Sequence, residues 1–187
     1  MINALSKMTA ALLAVALLYM YPAMQAAQRQ EDIDTLTAYN SLVQFVDAIR
    51  NKGYLSPSMY EEFAQQISLT GGVYDIELEH KHKKYHPEYD DPKDETSFKG
   101  EFTIVYDSYF TSDLLRVLYP EPLYTAEGSP EAIFRKYKFE TGDYIIISLK
   151  QRSKSSYDIL SSLMYGSMDG RDPKGLTYGG MVLNEDY

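Results

Sequence analysis

From Met8 to Met24 the chain reads MTAALLAVALLYMYPAM, uncharged throughout and plainly polar only at Thr9. No other feature restricts the fold so strongly, because a stretch that water does not reach must satisfy its backbone internally, as a helix. At about 1.5 Å per residue, residues 8–24 span roughly 26 Å, close to a bilayer core of about 30 Å. Met8, Leu12, Leu13, Val15, Leu17, Leu18 and Met20 are the side chains expected to meet lipid. Lys7 is the only charge ahead of Arg29, and Glu31 is the first acid. That asymmetry predicts a single-pass anchor with its N-terminus inside and everything after it outside the cytoplasm. Two alternatives remain. In a secreted chain the same run is a cleaved signal, with Ala26 or Ala27 the last residue removed, although Met24 or Gln25 then spoils the small-x-small site. The buried helix of a soluble protein fits poorly, since the run is apolar all the way round. Pro22 is expected to kink the helix or mark its exit from the bilayer, and Tyr19 and Tyr21 suit the membrane–water boundary.

The helix is expected to continue past the membrane. Ile33, Leu36, Tyr39, Leu42, Val43, Val46 and Ile49 recur at three-and-four spacing up to Asn51, which predicts a stem whose apolar face packs on a domain. Gly53 follows the basic Arg50 and Lys52 as a C-terminal cap. The chain thus divides into residues 1–27, a cytoplasmic tip and transmembrane helix, and residues 28–187, an extracytoplasmic domain with 28–52 as its helical stem.

Ser56-Pro57 predicts a second helix with Tyr60, Phe63, Ala64 and Ile67 inward, ended by Gly71-Gly72. Val73 to His80 alternates as a half-buried strand, with Tyr74, Ile76, Leu78 and His80 on one face. Residues 83–97 are polar with two prolines and are expected to form a long exposed loop. Further strands are expected at Glu101–Tyr106, Ala132–Phe139, Tyr144–Lys150 and Thr177–Leu183, the middle two joined by the turn Glu140-Thr141-Gly142-Asp143. Helices are expected at Ser112–Tyr119 and Ser155–Tyr165, and a loop at Gly166–Gly175. The predicted fold class is α+β: a long N-terminal helix and helical hairpin packed on an antiparallel sheet of about five strands, a pilin-like layout.

Composition narrows the function. The formal net charge is −9, and the part beyond residue 30 is more acidic still because Lys7 and Arg29 precede it. Nucleic-acid binding, which needs a basic footprint, is not expected. There is no cysteine, hence no disulfide, thiol nucleophile or cysteine-based metal site.

The most pointed constellation is His80, His82 and His86, every histidine in the chain. Residues two apart on a strand share a face, so His80 and His82 could offer imidazoles to one metal ion, with His86 as a third ligand. Lys81, Lys83 and Lys84 would repel that cation. Asp90, Asp91, Asp94 and Glu95 lack the alternation and glycine of a calcium loop and read as a solvated turn. There is no G-x-S-x-G elbow and no phosphate-binding glycine loop. Gly179-Gly180 suggests a bulge or a close backbone approach. No catalytic residue and no cofactor is expected.

The stem FVDAIRNKGYLSPSMYEEFAQQI, the stretch TGGVYDIELEHKHKKYHP, the segment TGDYIIISLKQRSKS and the tail TYGGMVLNEDY together resemble a family of small membrane-anchored proteins of Firmicutes. That family is similar in layout to the minor pilins and pseudopilins of tight-adherence and related type IV pilus systems. The resemblance implies a structural or accessory subunit of an appendage or secretion machine, with other subunits as partners and lipid contacted through residues 8–24. Pilin processing follows a glycine ahead of the apolar run, and pilins carry an early glutamate; here no glycine precedes Gly53 and no acid precedes Glu31. The alternative expectation is a tethered binding module that recognises a ligand or cation through residues 80–97.

Overall fold

The computed structural model describes residues 2–91, 93, 97–120, 135–166 and 175–184. Helix α1, Ile2–Lys52, is 51 residues long and continuous through Pro22, about 75 Å at helical rise. Strand β1 (Tyr54–Leu55) and helix α2 (Pro57–Leu69) follow. Ser56 caps α2 by accepting from the Met59 amide at 3.3 Å, with Pro57 in the first turn. Strands β2 (Tyr74–Tyr89) and β3 (Phe98–Phe110) lead into helix α3 (Thr111–Leu118). Then come β4 (Tyr137–Lys138), β5 (Tyr144–Gln151), helix α4 (Ser156–Tyr165) and β6 (Gly175–Met181).

The fold is α+β, with a four-stranded antiparallel sheet in the order β3-β2-β5-β6 and a separate β1-β4 pair. Alternation builds the core. Leu78 on β2 and Ile145, Ile147 and Leu149 on β5 face inward, because successive strand residues point to opposite faces. Against them lie Ala38, Leu42, Phe45, Val46 and Ile49 of α1, Phe63 and Ile67 of α2, and Leu114 and Leu118 of α3. Phe45 and Phe63 stack with ring centroids 4.1 Å apart and joins the two helices into the expected hairpin. The tail closes over the end of α1, where the Arg50 carbonyl accepts from the amides of Leu183 and Asn184, both at 3.0 Å.

Three expectations change. The buried stem face matches the periodicity only from Leu42 onward, where Leu42, Val46 and Ile49 lie in the core: Ile33 and Leu36 stand 56% and 63% exposed. Tyr39 is exposed yet sets its ring edge-on to Tyr178 at 6.3 Å, Val43 is half-buried, and Val46 and Ile49 lie in the core. Small Ala38 and bulky Phe45 join Leu42, Val46 and Ile49 in the inward positions, because the sheet and α2 meet only the outer half of the stem. Second, 83–97 is not one long loop. β2 runs on to Tyr89 and pairs with β3 from Tyr89↔Phe98 to Glu79↔Phe110, while β5 pairs with β2 only up to Lys81↔Tyr144. The hairpin therefore projects beyond the sheet as a two-stranded arm. Third, β4 and β5 do not form a hairpin. The Phe139 amide donates to the Gly53 carbonyl at 2.9 Å and draws β4 to β1 instead. Residues 132–134 of that expected strand, and 167–174 of the expected loop, lie outside the described residues.

Candidate functional site

The turn between β4 and β5 places a carboxylate under the sheet. Asp143 is 1% exposed, held where its amide donates to the Glu140 carbonyl and its own carbonyl accepts from the Val182 amide. Its carboxylate accepts from the backbone amides of Glu140 and Lys83, both at 2.9 Å. It also accepts from His80 Nε2 at 2.9 Å and His82 Nδ1 at 3.1 Å. The far side of His80, Nδ1, lies 2.8 Å from the Tyr137 hydroxyl. Phe139 and Tyr109 pack on the same imidazole.

The electrostatics follow from burial. Burial pushes the His80 imidazole below its ordinary value, and the bond and charge of Asp143 only partly offset it. In the neutral ring, Nε2–H donates to Asp143 and Nδ1 accepts from Tyr137. Burial alone would raise the Asp143 carboxyl, but the Lys83 and Glu140 amides and the two imidazoles together bring it below the usual range. The Tyr137 hydroxyl is pushed up to about 12, first by burial and then by nearby Tyr109, Asp143 and Asp113.

His80, His82 and Asp143 have potential donor atoms within 4.8 Å of one another. Of the expected trio, then, His80 and His82 come together and His86 does not. It lies exposed on the arm, paired with Thr103, roughly 13 Å further along the strand than His82. Asp143 stands in its place. A tetrahedral zinc with bonds of about 2.0–2.1 Å keeps its ligand atoms roughly 3.3 Å apart. The 2.9 Å between His80 Nε2 and Asp143 is instead a direct hydrogen bond. A metal would break the hydrogen bonds of both imidazoles to Asp143 and require each ring to carry its proton on the other nitrogen; in this structure the cluster is a hydrogen-bonded brace between β2, the turn and β4. Asp143 was hidden in the sequence as one of 27 acids, with only its place in a turn to mark it.

The second candidate region is α1 itself, one helix long and apolar enough to cross a membrane. Met8, Leu12, Leu13, Val15, Leu17 and Leu18 are exposed, and Met20 is partly covered. A third is the outer face of the arm. The register puts Tyr85 opposite Ile104, Pro87 opposite Phe102 and Lys83 opposite Tyr106 on one side, and Tyr85, Phe102, Ile104 and Tyr106 are exposed. A shallow cavity of about 370 Å³ between α1 and the start of α4 is lined by Glu31, Asp34, Gly72, Tyr74 and Ser155 among others. Comparison with protein-family models, with curated proteins and with solved structures found no match to this chain.

Proposed function

We propose that this protein is a membrane-anchored, pilin-like accessory subunit of a surface appendage or secretion machine, acting through contacts with other subunits rather than through catalysis. One observation carries the reading. The helix that supplies Ala38, Leu42, Phe45, Val46 and Ile49 to the core continues unbroken into the exposed apolar segment 8–24. A tether alone needs only a flexible linker, whereas a rigid helix shared by membrane and domain transmits position and orientation to its neighbours. Ile33 and Leu36, apolar and exposed between the apolar segment and the core, are the residues best placed to meet a partner helix.

The test is a photo-cross-linking residue at Leu36 in the full chain in its native cells. Discrete adducts with other envelope proteins support the reading, and adducts with lipid alone overturn it. Mass spectrometry of the native N-terminus adds the topology: an intact start supports the anchor, and a cut near Ala26 supports secretion.

The exposed aromatic face of the arm favours a second reading, a tethered module that binds a protein or ligand through Tyr85, Phe102 and Ile104. Replacing Phe102 with Ser and Ile104 with Thr keeps the strands while removing that face. Loss of partner capture with normal Leu36 adducts would transfer the function to the arm.

A further inference from the structure

Helix α4 begins beside the outer end of the apolar segment. Its cap residue Ser155 donates from its hydroxyl to the Glu31 carboxylate at 2.8 Å, and α4 packs against α1. The face of α1 that runs back from Glu31 through Ala27, Met24, Ala23 and Met20 is withdrawn from solvent, while the residues around it are exposed. That stripe measures roughly 16 Å at about 1.5 Å per residue. The ten residues of α4 measure about 15 Å by the same rise. A helix that starts at Glu31, packs on α1 and matches the stripe in length accounts for the cover of that stripe back to Met20, inside the apolar run.

The outward face of α4 carries two large apolar side chains, with Ser156 and Ser162 beside them. Ile159 and Leu163, one helical turn apart, are 58% and 75% exposed. The single charge on the helix, Asp158, is turned to its own N-terminus, where it accepts from the Ser155 amide at 3.1 Å. From Ile159 to the left-handed Gly166 cap no charged residue occurs. An uncharged helix face with two large apolar side chains, set beside a lipid-facing segment, is stabilised by moving those side chains from water into the boundary between headgroups and acyl chains.

We infer that α4 is a second membrane contact: a short helix clamped to α1 at Glu31 that rests Ile159 and Leu163 in the bilayer surface and sets the depth and tilt of the domain. The inference depends on residues 8–24 being the membrane anchor. The occupant of this face is lipid, because the face continues the apolar surface of that segment and lies at its depth.

The chain has no tryptophan, so a single introduced indole reports alone. Three full-length variants, Leu18→Trp, Leu163→Trp and Glu62→Trp, are reconstituted into phosphatidylcholine vesicles with and without brominated lipid. Leu18→Trp reads the anchor, and Glu62→Trp, on the exposed side of α2, reads water. The expected result is blue-shifted Leu163→Trp emission that is lost as brominated lipid replaces plain lipid, with Glu62→Trp unaffected. Quenching of Leu18→Trp without quenching of Leu163→Trp overturns the inference and leaves the anchor standing. Blue-shifted Leu163→Trp emission that brominated lipid does not quench also overturns it, since a protein surface then covers α4. Absence of quenching at Leu18→Trp removes the anchor reading and this inference with it.

Discussion

A carboxylate buried as deeply as that of Asp143 is tolerable only when its lone pairs are used, and two amides and two imidazoles use them. Asp143→Asn keeps the shape but points amide hydrogens at groups that themselves donate. It should cost about 2 kcal/mol, from the expense of leaving buried donors unpaired, read as a lowered midpoint in denaturant unfolding of the detergent-solubilised chain. The pH dependence has a defined sign. His80 titrates below its ordinary value when folded, so the unfolded chain takes up the proton first as pH falls past about 6.5, and stability declines from there. Asp143 is also depressed; its contribution is present above about 3.9 and disappears as pH falls through its lower folded value. Both effects make stability rise with pH. A thermal midpoint independent of pH between about 7.5 and 5, the range in which a histidine changes charge, would contradict this account of His80. Zinc titrated at neutral pH should show no calorimetric binding tighter than about micromolar, because it must break the hydrogen bonds that both imidazoles make to Asp143. The zinc titration follows from the histidine spacing alone, but the role of Asp143 does not, since it lies 63 residues from His80.

Among the elements, those with local signals were legible. Ser56-Pro57 marked the start of α2, and alternation from Tyr74 to His80 marked β2 and its inward face. The outer half of β2 was not legible, because both of its sides are exposed on the arm and a strand without a buried face has no alternation to show. Pro87 fits there since β5 has already ended at the Lys81↔Tyr144 pair, leaving that edge of β2 outside the ladder. The expected close approach at Gly179-Gly180 is present: a Cβ on Gly179 would stand 2.6 Å from the Ile145 carbonyl oxygen, whereas one on Gly175 meets only the Leu149 carbonyl at 4.0 Å. Gly179→Ala should therefore destabilise by about 1–3 kcal/mol, the usual cost of overpacking. Gly175→Ala should stay within about 0.5 kcal/mol. Equal thermal midpoints for the two variants would show that β6 is not pressed against β5.

For the whole molecule, the consequence of α1 is that the exposed apolar segment 8–24 and the core share one rigid rod, and the proposed anchor makes that segment the part held in the bilayer. The full chain should sediment with membranes and resist alkaline carbonate, while a chain lacking residues 1–27 should be released. Protease added to intact spheroplasts should digest the domain, and complete protection would reverse the orientation inferred from Lys7 and Glu31. The α+β class was legible because it rests on the order of strong local patterns. Where the buried face of the stem begins was not: Ile33 and Leu36 are as hydrophobic as Leu42 and Ile49, and only contact with β5, β6 and α2 decides that burial starts at Ala38 and takes in Phe45.

By itself the sequence determined the apolar helix, its continuation into a stem, the cap of α2 and the inner half of β2, since each depends on spacing or composition over a few turns of chain. Only the tertiary structure decided the brace of His80, His82 and Asp143, the projecting arm and the position of α4 along α1. Those depend on contacts between segments far apart in the chain, such as Ser155 with Glu31 at a separation of 124 residues, and no local period encodes which distant partner a side chain will meet.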